Sequence, residues 1–387
     1  IAFTVELNQQ RPAPILASVW SRARDVEGTP NSGYSLWLDL TFTDGTNLWG
    51  QNIPFECGTH DWQQRSLPLA PTKPIRSVLV YGLFRGKTGT VWFDDFSLTQ
   101  LDLAEGAATF NGVPVVVERP RLHPTEIIEL PVGEGLTLRL DAATGALVGP
   151  DGAVGGIFWR DVQAGSDFRQ PRGSVVRDGA DARLRARDQE LGLEIEARFS
   201  PRGDRVEISG QVRDLTGGDR AVSVYLALPW DATGGRWHED QRRSQEIADA
   251  MTWENAVSVG AGPNGLASRY PLACVTTDTA GAAIAVPLDR PRIAELAYDG
   301  ASRELYAALH LGLSSETARF PSSADFALAI FPVDPAWGFR DALARYYAAY
   351  PECFTKRTQR EGIWMPFTDV STVQGWEDFG FAFPEGN

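Results

Sequence analysis

The chain of 387 residues is longer than one ordinary domain, and its 43% hydrophobic and 22% charged content is that of a soluble globular protein of two or three domains. No apolar run approaches the ~20 residues a membrane-crossing helix needs, which argues against one. A net charge of −14 repels phosphate backbones, so nucleic acid is not an expected partner.

The opening IAFTVELNQQ alternates apolar and polar residues like a strand and has neither a basic nor an apolar leader region, so any export signal is expected to be absent or already removed. Up to residue 100 short alternating segments are separated by turn clusters, the pattern of an all-β sandwich. Ser35 to Phe42 puts Leu36, Leu38, Leu40 and Phe42 on one face and Trp37 on the other. Asp44-Gly45 follows as a hairpin turn. Leu48 to Gln51, Ile75 to Phe84 and Thr90 to Leu98 read as further strands, while Pro68, Pro71 and Pro74 bar a central strand between them. Strict alternation along the last strand places Trp92 on the same face as Phe96, and hence in the core.

Residues 103–120 read as a connector. From about 130 a second β-rich region begins, with strands at Leu136–Leu140, Ala182–Arg187, Leu191–Phe199, Arg205–Val212, Ala282–Pro287 and Phe326–Pro332. Val222–Leu228 reads as a more fully buried strand. Asp334 to Tyr350 carries Phe339, Leu343, Tyr346, Tyr347 and Tyr350 at helical spacing, between Pro335 and Pro351. A weaker helical stretch is expected at Gln241–Ala250. The expected divisions are 1–102, 103–333 and 334–387.

The segments Tyr34-Ser-Leu-Trp37, Thr43-Asp-Gly-Thr46, Leu48-Trp-Gly-Gln51, Gly58-Thr-His-Asp-Trp62 and Gly89-Thr-Val-Trp-Phe-Asp-Asp95 resemble the jelly-roll carbohydrate-binding modules. The closing VWFDDFSL is similar to the last strand of the xylan- and glucan-binding modules of that superfamily. The resemblance implies a structural calcium held by Glu6 and Asp95, whose hard oxygen ligands suit that ion. The second region, through Gly155-Gly-Ile-Phe-Trp159, Ala221–Trp230, Gly234–Asp240 and Pro332–Phe339, resembles the galactose-mutarotase-like β-supersandwich that precedes the barrel in several glycoside hydrolases. Gly362-Ile-Trp-Met-Pro-Phe-Thr-Asp369 is similar to the opening strand of a (β/α)8 barrel, with Trp376 to Phe381 as its following loop.

The expected fold class is therefore mainly β: a jelly roll, a large supersandwich, a short helical linker and the start of a possible barrel. Aromatic faces stack on the C–H faces of sugar rings, so Trp20, Trp37, Trp49, Trp62 and Tyr81 are the expected sugar contacts, Trp49 and Trp62 in or beside loops. Trp237, Trp364 and Glu385 are added from the later regions. Glycoside hydrolysis needs a pair of carboxylates, and the densest acidic constellations are Trp237-His238-Glu239-Asp240 and the group Asp369, Glu377, Asp378 and Glu385. His238, Glu239 and Asp369 are the catalytic candidates. Nucleophile elbow, Walker loop, HExxH and dinucleotide fingerprints are missing. His60 and His123 read as structural histidines. Cys57, Cys274 and Cys353 lack zinc or CxxC spacing and read as buried thiols or one chance pair.

The expected role is the glycan-binding N-terminal portion of an extracellular, periplasmic or cell-surface glycoside hydrolase acting on poly- or oligosaccharide, with no organic cofactor. The rival is a self-contained glycan-binding surface protein or a sandwich-type polysaccharide lyase or epimerase without a barrel. A stop codon after Asn387 would favour the rival.

Overall fold

The computed structural model describes all residues except 70, 72, 102–106, 111, 112, 119–123, 125, 134, 151, 163–166, 172, 249, 250, 259–265, 319–321, 358–360, 368 and 385–387; the side chains of 107–110, 113–118, 258, 266, 370, 382 and 384 are also left undescribed. Two compact units divide it, Ile1–Ala344 and Arg345–Asn387.

The first seven strands are β1 (Ala2–Glu6), β2 (Ile15–Val26), β3 (Tyr34–Phe42), β4 (Asn47–Pro54), β5 (Gly58–Leu69), β6 (Ile75–Phe84) and β7 (Thr90–Gln100). They form a four-stranded sheet in the order β1-β6-β3-β4 and a three-stranded sheet in the order β5-β2-β7. Alternation decides what each strand buries. Leu36, Leu38 and Leu40 of β3 meet Ile15, Ala17 and Val19 of β2 in one core, closed by Tyr34, Phe55, Val78 and Val80. Pro68 lies in the edge strand β5, where a missing N–H breaks no central ladder.

One bulge re-aims a tryptophan. Across β2 and β7, Ser18 faces Ser97 but Trp20 faces Asp94, so β7 carries one extra residue there. Asp95 takes it up in the left-handed region at φ 50°. Beyond the bulge the parity inverts. Phe96 turns inward to Phe93, with ring centroids 6.2 Å apart, while Trp92 faces outward. The expected core position of Trp92 is thereby corrected.

The rest of this unit is built on two larger antiparallel sheets. One runs Ile127–Gly133, Leu136–Asp141, Leu147–Val148, Val154–Asp161, Arg220–Pro229, Glu304–Leu313, Glu295–Asp299 and Thr252–Glu254 in spatial order. The other runs Gly173–Asp178, Asp181–Asp188, Leu193–Arg202, Arg205–Asp214, Ser323–Val333, Gly281–Ala285, Leu272–Thr276, Arg236–His238 and Ser244–Glu246. Their facing sides share a core of Ile195, Phe199, Ile208, Leu226, Leu309 and Ile330, among others. Arg220–Pro229 is buried on both faces over most of its length: Val222, Val224, Leu226 and Leu228 point to the core, and Ser223, Tyr225 and Ala227 lie on the opposite side.

The helix expected after Asp334 forms as α1 (Phe339–Ala349). The one expected at Gln241–Ala250 does not form over its described residues, 241–248. There Asp240 Oδ1 accepts the amides of Arg242 and Arg243, making a turn, and Ser244–Glu246 pairs with Arg236–His238. The three cysteines are free; Cys274 is buried, Cys57 half-buried and Cys353 exposed, so the last departs from the expected burial. Among the described residues no helix is long and apolar enough to cross a membrane.

In the second unit, Ile363–Met365 and Phe381–Pro384 form a parallel pair. Of the expected strand within Gly362–Asp369, Ile363–Met365 is extended.

Candidate functional site

The outer face of the β5-β2-β7 sheet gathers two of the expected sugar contacts, Trp20 and Trp62. In β2 the odd positions Ile15 to Ala23 are turned inward, which leaves Trp20, Arg22 and Arg24 outward. Arg22 stands directly across from Trp92 on β7. On the other side a register irregularity between Ser21–Gln63 and Ala23–His60 brings Trp62 of β5 beside it. The Arg22 guanidinium carbon lies 4.6 Å from the Trp92 ring centre and 5.7 Å from that of Trp62. Arg24 lies 5.8 Å from Trp92. The next row along the strands is Gln64, Trp20 and Asp94, and the one after is Ser66, Ser18 and Ser97. Trp62 is 39% exposed, and Trp20 and Trp92 are half-buried. Cation–π contact contributes about 0.5–1 kcal/mol at an exposed site and keeps the three side chains in one row. Arg22 and Arg24 were not among the expected contacts, and Trp92 was expected in the core. Arginines at the alternate positions after Trp20 were legible; the bulge that exposes Trp92 was not.

The outer face of the other sheet carries Trp37 and Tyr81, direct cross-strand partners, with Asn52 on the far side of Trp37. The Trp37 indole N–H donates to Asp39 Oδ1 (2.8 Å), which also accepts the Gly50 amide. Gly50, at φ 79°, lets the ring lie close: a Cβ there would stand 3.3 Å from it. Trp37 is thus tied into the sheet with one side left half-exposed, and Arg85 sits 5.9 Å from its ring centre. Trp49, at 62% exposure, projects from the edge strand β4. Trp49 and Trp62 both lie in strands, not in or beside loops.

Glu6 of β1 pairs with Ser77 of β6 in this four-stranded sheet, and Asp95 occupies the bulge of β7 in the other; both are exposed. Among the described residues no three His, Cys, Asp or Glu side chains stand together as a metal-holding group.

The tryptophan-histidine-acid constellation is a brace. Trp237 is 1% exposed and belongs to the core, so its indole is not available to a sugar. His238 Nε2 meets Thr276 Oγ1 at 2.9 Å, and its ring lies against Gly338. Burial, and after it the Arg236 charge, pulls the His238 pKa below the usual range. Glu239 accepts from Gln245 and pairs with Arg243. Asp369 accepts from the Ser371 hydroxyl at 2.7 Å and from its amide, which hold its carboxyl below the usual range. Trp364 is 56% exposed in the second unit, and Glu385 and His123 lie outside the described residues.

A polar row also lies on the large sandwich, on the sheet face away from its core. Ser223 Oγ is 2.7 Å from His310 Nδ1, and His310 Nε2 is 3.0 Å from Glu295 Oε1. This has the connectivity of a nucleophilic triad. Ser223, however, sits in mid-strand with no exposed surface, and its hydroxyl offers no approach to a substrate. Beside it Tyr225 donates to Glu304; burial first, and the Glu304 charge next, push its phenol far up. These groups satisfy one another across three strands.

No family model matches the chain. A stretch amounting to 31% of it is 36% identical, over 125 residues, to the tRNA nuclease WapA of Bacillus subtilis and to the tRNA3(Ser)-specific nuclease WapA of Bacillus spizizenii. The match spans 5% of the length of those curated relatives. Among solved structures, the galactose mutarotase related enzyme of Lactobacillus acidophilus overlaps 54% of the chain and 98% of its own, at 7% identity and a TM-score of 0.32. The GH36 α-galactosidase AgaA of Geobacillus stearothermophilus overlaps 62% of the chain and 36% of its own, at 12% identity and a TM-score of 0.31. At scores this low the similarity fixes neither fold nor activity; what stands on the coordinates is a mainly β chain of sandwiched sheets.

Proposed function

We propose that this chain is a glycan-binding portion of an extracellular carbohydrate-active protein, and that the outer face of β5-β2-β7 holds the sugar. The observation that carries this reading is the row Trp62, Arg22, Trp92, backed by Trp20, Gln64 and Asp94. Indole faces supply flat apolar surface to pyranose C–H groups, while guanidinium, amide and carboxylate groups beside them supply the hydrogen bonds that sugar hydroxyls require. Because the rings stand on strands and are held by a shared cation, little side-chain entropy remains to be lost on binding. Trp37, Tyr81 and the exposed Trp49 form a second, weaker platform on the opposite sheet.

The finer reading, that the binder serves a glycoside hydrolase, draws on the sequence resemblance of residues 155–240 and 362–369. The short parallel pair Ile363–Met365 and Phe381–Pro384 is compatible with the threshold of a barrel. His238, Glu239 and Asp369 are engaged in local hydrogen bonds, and we assign them no catalytic role.

The test is affinity electrophoresis of the chain through gels carrying a panel of neutral and acidic polysaccharides. Retardation by at least one, lost in Trp62→Ala and Trp92→Ala at an unchanged melting temperature, is expected. Equal mobility in every gel would remove the reading.

A further inference from the structure

We infer that the glycan taken by the β5-β2-β7 face is acidic, with the carboxylates of uronate residues seated on Arg22 and Arg24; this rests on the glycan reading above. Most arginines of the large sandwich have carboxylate partners: Arg198 on Asp181, Arg205 on Glu207, Arg220 on Asp161 and Asp214, and Arg303 on Asp231. Arg22 and Arg24 differ. Both are exposed, and among the described residues their contacts are the indole rings of Trp62 and Trp92, with no hydrogen bond or ion pair to either. In a chain of net charge −14, two cations without acid partners, Arg22 between the rings of Trp62 and Trp92 and Arg24 beside Trp92, are complementary to an anionic ligand.

The geometry favours a carboxylate. With no hydrogen-bond partner of its own among the described residues, the planar fork of Arg22, its carbon 4.6 Å from the Trp92 ring centre, is left to take a carboxylate by two parallel bonds. Being two residues apart on one strand, Arg22 and Arg24 stand about 6.5–7 Å from one another on the same face. Repeated acidic groups of one polymer strand can therefore occupy both. A single-stranded nucleic acid would also find aromatic faces and arginines here. The exposed Asp94 abreast of Trp20 separates the two: it accepts from a hydroxyl donor, which every uronate ring carries and a phosphate diester does not.

Binding of the 387-residue chain to polygalacturonate and to its fully methyl-esterified counterpart, by titration calorimetry at about 0.1 M salt, separates charge from shape. The free acid is expected to bind about tenfold or more tightly, the scale of one charge-assisted bidentate contact. Arg22→Gln is expected to bring the ratio of the two affinities close to one, and Trp62→Ala to weaken both. Equal affinities for acid and ester overturn the inference while leaving a neutral-glycan site in place. Tighter binding of a sulfated glycan or of poly(U) than of polygalacturonate overturns it in favour of that anion. Binding to no glycan removes the underlying reading as well. A ratio that survives Arg22→Gln and Arg24→Gln together assigns the charge preference elsewhere and likewise overturns it.

Discussion

The two sandwiches treat tryptophan in opposite ways. In the first, none of Trp20, Trp37, Trp49, Trp62 and Trp92 is fully buried; the core is made of Leu, Ile, Val, Ala, Phe and one Tyr, and the indoles stay on the outer faces, Trp37, Trp62 and Trp92 of them beside arginine. In the second, Trp159, Trp237 and Trp253 are buried. A large apolar ring left outside a core that could use it carries more information than one inside, because its burial would have been favourable. The arginines divide the same way. Arg220 lies between Asp161 and Asp214 with its side chain 11% exposed, while Arg22 meets only rings.

The comparison breaks most sharply on paired truncations. Trp237→Ala should cost about 3–5 kcal/mol, the range for emptying an aromatic core site, read as an earlier urea midpoint for the large sandwich. Trp62→Ala should cost no more than about 1 kcal/mol and should instead abolish polysaccharide retention. If Trp62→Ala destabilises as much as Trp237→Ala, the outer row is structural.

The arginine pair follows. Arg220→Met removes the cation that bridges two buried carboxylates and should cost about 3–5 kcal/mol, against well under 1 kcal/mol for Arg22→Met. The pH dependence sharpens this. Burial works to raise the Asp214 carboxyl, but the Thr216 hydroxyl, the Thr216 and Gly217 amides and Arg220 hold it below the usual range. A carboxyl depressed by folding stabilises the native state above its unfolded value, about 3.9, and that stabilisation is lost as pH falls through the folded one. In Arg220→Met the acid transition should move to higher pH. An unmoved transition would mean that the hydrogen bonds alone hold the carboxylate.

Much of the fold was legible because period-2 alternation survives along Ser35–Phe42, Leu193–Phe199 and Arg205–Val212. The outward face was read only in part. Alternation counted through Asp95 put Trp92 beside Phe96, since a residue at φ 50° leaves no mark in the letters when it is Asp and not Gly. The strand Arg236–His238 is three residues long, too short for a pattern, so Trp237 looked like a loop residue offered to a ligand. The run Gln241–Ala250 has helical composition, but the Asp240 carboxylate captures the next amides in a turn. The row Ser223, His310 and Glu295 comes from three strands and exists only through register.

A smaller effect is expected at Gly338. Its φ of 51° suits glycine, and a Cβ there would stand 2.2 Å from the His238 ring. Gly338→Ala should cost about 1–3 kcal/mol, and His238→Ala in the same chain should recover part of it. Recovery identifies the ring as the obstacle; none leaves backbone strain as the whole cost.

The smallest effect concerns the proton on that histidine. Burial first, and the Arg236 charge second, disfavour protonated His238 in the folded chain. The unfolded chain therefore binds the proton more readily, and stability rises with pH across the window between the folded value and the ordinary one near 6.5. Above that window the stabilisation is complete, and it is lost as the pH falls. Melting temperatures between about pH 7.5 and 5.5 should decline in the native chain and decline less in His238→Gln, whose amide can still meet Thr276. The outer row of the first sandwich has no such group, so glycan retention by the folded protein should show no break across the same interval. If both chains lose stability equally, the proton that matters is bound at another group.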